Sequence, residues 1–412
     1  MSTAKLTESL KLPNGTTLPN RIAKSAMSEA MGTMGNQVTP ELVRLYQRWG
    51  EGGTGLIITG NVMIDRRALG EPGNVVLEDE RDLALLTQWA SAAKEQGSQI
   101  WMQINHPGRQ SPKGLNKQNV APSAVPFSEA MRPFFAAPRE LTPDEIEDII
   151  ARFARAAKIA QKAGFDGVQI HGAHGYLVSQ FLSPLTNLRE DQWGGSSEKR
   201  RAFVMRVLGA MRDATSADFS IGIKLNSADF QRGGFTEEES LDVMQALSEA
   251  GIDLIEISGG TYEAPAMTGV KASTRKREAY FLEFAEKVRG RIPNTPLMVT
   301  GGFRTHAGMQ EALASGALDL CGIARLLAIE PDVSMRLLNG EDPQQRVRPI
   351  KTGIAPVDRM AIMEVTWYTR QLRRIGKGRE PKPRESGLWA FLCSLVDSAS
   401  GIRKTKKLRA SA

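Results

Sequence analysis

The segment GVQIHGAHGY, residues 167–176, brings together three side chains suited to acid–base chemistry. An apolar run ends at His171, and His174 and Tyr176 follow within five residues. Two imidazoles three residues apart can donate hydrogen bonds to one carbonyl or phenolate oxygen, and a tyrosine hydroxyl can give a proton to carbon. Because the chain has only four histidines, two in this segment favour a catalytic cluster over histidines with a purely structural role.

A three-histidine zinc site is the metal-binding alternative for the same segment. His106 follows another apolar run, and with His171 and His174 it would match the ligand number of a catalytic zinc. No carboxylate or cysteine extends the set in either segment, and the spacing matches no strong zinc signature. The sequence therefore predicts a site without a metal.

Two later segments are typical of phosphate-binding loops. One apolar run ends in TGGF at 300–303, and the next ends in GIAR at 322–325. Gly301 and Gly302 allow a close approach of the backbone to an anion, and Arg325 adds a forked cation. The pair of segments predicts a phosphate-bearing ligand, which is either a substrate or a cofactor.

Gln103 and Lys224 lie near the ends of two further apolar runs. An amide and a cation there suit a flat heterocycle whose edge carries alternating donors and acceptors. A buried lysine without a partner would be costly. We therefore expect Lys224 to face an anion or the electron-rich edge of a cofactor.

Eight short apolar runs alternate with amphipathic segments and are predicted to be strands that position these residues. They span residues 21–27, 55–60, 100–105, 167–172, 220–226, 254–260, 296–302 and 318–325. The clearest helix begins at the capping box of Thr142 and Glu145 and ends at Gly164, and another runs from Thr236 to Gly251. Further helices are predicted near 41–49, 82–96, 200–213, 279–290, 306–315, 331–338 and 357–375.

This alternation predicts an α/β fold, a (β/α)8 TIM barrel with long βα loops and a C-terminal helical and basic extension. A doubly wound sheet is the alternative, but no G-x-G-x-x-G follows the first strand. The barrel places the carboxyl ends of all strands on one catalytic face. Two long connections, 106–141 and 173–199, follow strands at that face and are expected to shape the active site. We predict two units, a barrel over 1–349 and the extension over 350–412.

The positive charge of the chain is concentrated in its tail. The 412 residues carry a formal charge of +7, but residues 367–412 hold 12 Lys+Arg and 3 Asp+Glu. The other 366 residues carry 41 basic and 43 acidic side chains, a net charge of −2, so overall charge gives no reason to expect a nucleic-acid partner. Two cysteines cannot hold an iron–sulfur cluster. With no 20-residue apolar span and no signal-peptide core, we expect a cytoplasmic protein.

The tail raises the alternative of a surface-binding protein. GLWAFLCSLV at 387–396 is followed by RKTKKLR at 403–409, a short amphipathic piece with a basic flank that suits an anionic membrane or a partner. A solvated terminus, or a segment packed on the barrel or on a neighbouring subunit of an oligomer, is the simpler interpretation and the one we favour.

Taken in order, these segments resemble the old yellow enzyme family of flavin-dependent ene-reductases and NAD(P)H:flavin oxidoreductases, over residues from about 5 to 340. The motifs that carry the resemblance are NRI at 20–22, GLII at 55–58, Gln103, HGAHGY with FLSPLTNLREDQWGGSSEKR over 171–200, TGG at 300–302 and Ala324-Arg325. The resemblance points to the single-domain branch that uses FMN alone.

The resemblance implies an FMN across the barrel mouth. Its phosphate would lie on the backbone of Gly301, Gly302, Ala324 and Arg325. The remaining contacts that it implies come from Ala26, Met27, Ser28, Asn61, Gln103 and Lys224. Ser28 matches a position where family members place Thr or Cys, and Lys224 matches a position where Arg is common. Ala26 replaces a frequent Pro, and Asn61 replaces a small residue.

The resemblance also implies the reaction. NADH or NADPH would reduce FMN, and an α,β-unsaturated carbonyl compound would then bind with its oxygen on His171 and His174. Hydride would pass to the β-carbon and a proton from Tyr176 to the α-carbon. A flavin-free barrel enzyme acting on a phosphorylated substrate is the alternative, although it would leave the histidine–tyrosine cluster unexplained.

Overall fold

Eight short strands form the centre of the molecule. The computed structural model describes residues 4–94, 96–261, 263, 281–354, 358 and 362–393. The strands are β1 (Ile22–Lys24), β2 (Leu56–Ile58), β3 (Gln99–Asn105), β4 (Gly167–Gly172), β5 (Ser220–Asn226), β6 (Leu254–Ser258), β7 (Leu297–Thr300) and β8 (Leu320–Ile323). Each falls within, or within one residue of, a predicted strand.

The strands close into a barrel. Each pairs in parallel with the next along the chain, and β8 returns to β1 with Cys321 opposite Ile22. Because this last pairing closes the sheet, the TIM-barrel prediction is confirmed and the doubly wound alternative is wrong. All strands run the same way, so their carboxyl ends share one face.

Helices surround the barrel, and all except one short helix, which lies in the long connection after β4, fall where the sequence predicts them. They are α1 (Pro40–Glu51), α2 (Leu83–Ala93), α3 (Pro143–Lys162), α4 (Leu177–Leu182), α5 (Ser197–Ala214), α6 (Glu237–Glu249), α7 (Leu282–Arg291), α8 (His306–Ala314), α9 (Val333–Leu338) and α10 (Ile362–Gly376). The predicted capping box at Thr142 is present, and the helix predicted to begin at Thr236 has one as well. Parts of the predicted helices and of the predicted extension lie outside the described residues, namely 95, 279–280, 355–357, 359–361 and 394–412.

The barrel interior is apolar at its amino-terminal end. A hairpin of Leu10–Lys11 with Thr17–Leu18 covers this end, and its leucines pack with inward residues such as Trp101 and Met298. A Cβ at Gly222 would lie 2.7 Å from the Trp101 ring, so this glycine makes room for the indole. The closed apolar floor leaves the opposite end as the place for polar chemistry.

Among the described residues, no helix is long and apolar enough to cross a membrane.

Candidate active site

The predicted histidine–tyrosine cluster forms at the carboxyl end of β4. The ring centroids of His171 and His174 are 5.2 Å apart, and that of Tyr176 is 4.7 Å from His171. His171 is 3% exposed and Tyr176 7%. The cluster is therefore compact, and His171 and Tyr176 within it are screened from bulk water.

An unusual turn brings His174 into the cluster. Its backbone lies in the left-handed region, with φ of 61°, a conformation that costs a non-glycine residue energy. The backbone N–H of His174 donates to Asn226 Oδ1 (3.1 Å), and its Nε2 is 2.8 Å from Ser258 Oγ. Contacts from β5 and β6 thus hold the strained turn.

Both clustered histidines are neutral at physiological pH. Burial, reinforced by the charge of Lys224, lowers the pKa of His174 to about 3. Burial and the neighbouring His174 and Lys224 lower the pKa of His171 well below its ordinary value. Because the Ala173 N–H donates to His171 Nδ1 (3.3 Å), the proton of neutral His171 lies on Nε2, which is left as a donor.

A polar layer lies between the apolar floor and the cluster. Six inward side chains form it: Gln103, Gln169, Lys224, Glu256 and Thr300, one each from β3 to β7, and Ser25, which directly follows β1. Gln103 Nε2 donates to Gln169 Oε1 (2.8 Å), whose Nε2 donates to Glu256 Oε2 (2.7 Å). Glu256 Oε1 then accepts from Thr300 Oγ1 (2.7 Å), which is 2.6 Å from Ser25 Oγ. One connected network therefore supports the site from below.

Lys224 faces an anion, as the sequence predicts, and that anion is Glu256. Its Nζ lies 2.9 Å from Glu256 Oε1. Burial by itself raises the pKa of Glu256, but the charge of Lys224 and hydrogen bonds from Thr300, Lys224 and Gln169 outweigh it, so that pKa falls below its ordinary value. The sequence reasoning missed both Gln169 and Glu256.

The two predicted phosphate loops lie side by side. β7 and β8 pair with Thr300 opposite Gly322, which places Gly301 and Gly302 beside the segment that begins at Ala324. Gly301 and Gly302 have φ of 115° and 95°, values that L side chains rarely adopt. Arg325 opens a 3₁₀ turn there and is about one-third exposed. Backbone and guanidinium donors therefore border one region of the mouth.

The loop after β1 contributes the other predicted contacts. Residues 26–31, here called the cofactor loop, contain Ala26, Met27 and Ser28. The Ser28 hydroxyl is buried and has no hydrogen-bond partner among the described residues. Asn61, after β2, accepts a hydrogen bond from Asn105 Nδ2 (3.3 Å). A buried, unpartnered hydroxyl suits a bound ligand.

A buried ion pair anchors the cofactor loop and was not found from the sequence. Glu29 Oε1 accepts from the Gly60 N–H (3.1 Å) and lies 3.5 Å from Lys24 Nζ. The Tyr46 hydroxyl also donates to Glu29. Burial lowers the pKa of Lys24 to about 8, against the opposing effect of Glu29. The sequence signal that could have revealed this pair is a lysine at the end of an apolar run, followed five residues later by a glutamate.

The two long loops are joined above the site. Gln180, in α4, donates through Nε2 to Pro107 O (3.1 Å) and accepts through Oε1 from the Arg109 N–H (3.2 Å). Arg109 pairs with Glu263 (2.7 Å) and stacks over Phe127 with its Cζ 4.2 Å from the ring centroid. These contacts join described residues of the connections after β3, β4 and β6 to one another.

The three-histidine zinc alternative has no structural counterpart in the described part of the chain. No group of three or more His, Cys, Asp or Glu there is placed to hold a metal ion. His106 instead accepts a hydrogen bond at Nδ1 from the Gly108 N–H (3.1 Å).

The catalytic face of the barrel thus carries neutral imidazoles, a tyrosine and two glycine-containing loops, an arrangement consistent with a barrel oxidoreductase. The chain belongs to the NADH:flavin oxidoreductase / NADH oxidase family, whose model matches residues 5–343. The likeness to the old yellow enzymes is thereby confirmed. The protein is an oxidoreductase with FMN as cofactor and NADH or NADPH as reductant.

Characterised relatives agree with this assignment. The chain is 38% identical over 342 residues to the NADH-dependent flavin oxidoreductase iliE of Hypocrea jecorina, covering 77% of this chain and 84% of the relative. It is 34% identical over 331 residues to the NADH oxidase of Thermoanaerobacter brockii, covering 79% of this chain but only 50% of that protein.

Solved structures show the same fold. The old yellow enzyme homologue from Zymomonas mobilis superposes with a TM-score of 0.71 at 23% identity, covering 84% of this chain and 95% of that one. Morphinone reductase gives a TM-score of 0.68 at 24% identity, covering 82% and 91%.

Proposed function

We propose that this enzyme reduces the carbon–carbon double bond of α,β-unsaturated carbonyl compounds, with Tyr176 as the proton donor. The observation that carries the proposal is the cluster of His171, His174 and Tyr176, with His171 buried and both imidazoles neutral. We assign this activity to the barrel unit, residues 1–349.

The residues of the mouth fit FMN. The Ser28 hydroxyl offers an unpartnered buried group, and Gly301 and Gly302 expose backbone N–H groups beside Arg325, the donor set that a phosphate needs. Ala26, Met27, Asn61, Gln103, Lys224 and Ala324 complete the set of residues that we propose hold the cofactor. FMN bound there would supply the hydride for the β-carbon of the substrate, with NADH or NADPH as its source.

The histidines bind and polarise the substrate carbonyl. His171 carries its proton on Nε2 because the Ala173 N–H occupies Nδ1, so it donates a hydrogen bond without carrying a charge. His174 contacts Ser258 through Nε2, and a proton on its Nδ1 would make it the second donor. Two fixed donors stabilise the negative charge that develops on the carbonyl oxygen as hydride reaches the β-carbon.

Tyr176 completes the addition by protonating the α-carbon. Its ring packs on His171, which fixes the hydroxyl relative to the bound carbonyl. We assign the proton to this residue and not to solvent because Tyr176 is buried and packs against the histidine that would hold the carbonyl.

Tyr176→Phe tests this role. Under anaerobic conditions, NADH or NADPH should bleach the visible flavin absorbance at the wild-type rate, because no proton transfer to carbon occurs in that step. Reoxidation by 2-cyclohexenone should slow by about 100-fold, the scale of a positioned general acid.

A quinone acceptor provides the matched control. A quinone takes its protons on oxygen, which exchanges readily with water, so the variant should reduce it at the wild-type rate. Equal slowing with NAD(P)H, enone and quinone would remove the proposed role of Tyr176, and failure of the wild type to bind FMN would overturn the assigned cofactor site.

A further inference from the structure

Helix α10 lies beyond the family match yet is packed tightly on the barrel. The match ends at residue 343, whereas α10 spans Ile362–Gly376. Arg44 Nη1, from α1, donates to Gly376 O (3.0 Å), and a Cβ at Gly376 would lie only 2.6 Å from Glu41 O. Trp367, Gln371 and Leu372 are at most 1% exposed. This helix is therefore an integral part of the packed structure.

Two side chains of α10 donate hydrogen bonds to backbone carbonyls of the cofactor loop. The Thr369 hydroxyl donates to Ser28 O (3.1 Å), and Arg373 Nη2 donates to Ala30 O (3.2 Å). Ala30 has φ of 48°, a strained value that external contacts must maintain. The two hydrogen bonds fix the loop on either side of Glu29.

The same helix also reaches the predicted phosphate arginine. Glu364 Oε2 is 2.7 Å from Arg325 Nη1, and Arg325 Cζ lies 6.0 Å from the centre of the Tyr368 ring. The ion pair uses Nη1, so among the described residues Nε and Nη2 remain as donors for a phosphate. One helix thus contacts both ends of the proposed FMN site.

We propose that α10 completes the FMN site and that Thr369 is a positioning residue, which holds Ser28 so that its hydroxyl meets the flavin. The inference rests on the proposed placement of FMN. A hydroxyl contributes most to binding when its backbone is already fixed, because the ligand then need not order the loop. In this chain, α10 of the C-terminal extension fixes the backbone of the cofactor loop before FMN binds.

Thr369→Val tests the inference because it removes the hydroxyl and keeps the shape of the side chain. Loss of one neutral hydrogen bond behind Ser28 should weaken FMN binding about fivefold, measured by quenching of flavin fluorescence. The midpoint potential and visible spectrum of the bound flavin should shift as well, since the Ser28 hydroxyl moves. Thr369→Ser, which keeps the hydroxyl, should restore both.

Arg373→Met gives a second, independent variant, and Arg374→Met is its matched control. Arg373 contacts the cofactor loop, whereas Arg374 donates to Glu380 O in the tail. Arg373→Met should weaken FMN binding and Arg374→Met should not.

The outcomes separate the two levels of the proposal. If the wild-type protein does not bind FMN, the proposed FMN site itself is wrong. A wild type that binds FMN, with Thr369→Val and Arg373→Met matching it in affinity, potential and spectrum, would overturn the role of α10.

Discussion

Lys224 and Glu256 form a buried ion pair across neighbouring strands, and Lys224 is paired in register with His171 of the catalytic cluster. They are opposite each other in the register of β5 and β6, their charged atoms are 2.9 Å apart, and their side chains are 5% and 0% exposed. Glu256 also accepts from Gln169 and Thr300. The pair therefore connects the polar layer to the electrostatics of the histidines, since the Lys224 charge helps keep His171 and His174 neutral.

Glu256→Gln should destabilise the fold strongly. The substitution leaves the buried Lys224 ammonium without its counter-ion, and removal of one partner from such a pair typically costs about 3–5 kcal/mol. Urea denaturation measures the loss. The double variant Glu256→Gln with Lys224→Met should recover much of it, because no unpaired charge is left. A single variant as stable as the wild type would show that the pair is not energetically coupled.

The strands, the catalytic cluster and every helix except α4 were predictable because each depends on local pattern. Strand bounds follow apolar runs, α3 and α6 follow their capping boxes, and His171, His174 and Tyr176 are adjacent in sequence. Glu256 was not predicted, because a single carboxylate in LIEIS says nothing about its cross-strand partner until the register is known. The α10 contacts with Ser28 and Ala30 join residues more than 340 positions apart, and no local pattern encodes them.

Arg325→Met should weaken the binding of FMN more than that of riboflavin. A hydrogen bond between a guanidinium and a phosphate is charge-assisted, so its loss should raise the Kd for FMN by about 10- to 100-fold. Riboflavin has no phosphate and should bind both proteins equally, which makes it the internal control. Equal loss for the two flavins would mean that Arg325 acts on the fold and not on the phosphate.

His174→Asn should make stability less sensitive to acid. The folded pKa of His174 is about 3, against 6.5 for an ordinary histidine, so the unfolded chain takes up the proton first. Its contribution to stability is therefore complete above pH 6.5 and is lost as pH falls from 6.5 towards 3, by up to about 1.4 kcal/mol per pH unit.

Asparagine suits this test because it tolerates the left-handed backbone at position 174, where φ is 61°. Asparagine also does not titrate, so the free energy of unfolding of the variant should fall less steeply than that of the wild type between pH 6 and pH 4. Protonation of carboxylates lowers the stability of both proteins over the same pH range. Only the difference between the two curves therefore reports on His174. Parallel curves from urea titrations at each pH would mean that His174 is protonated equally in the folded and unfolded states, contrary to its burial in the cluster.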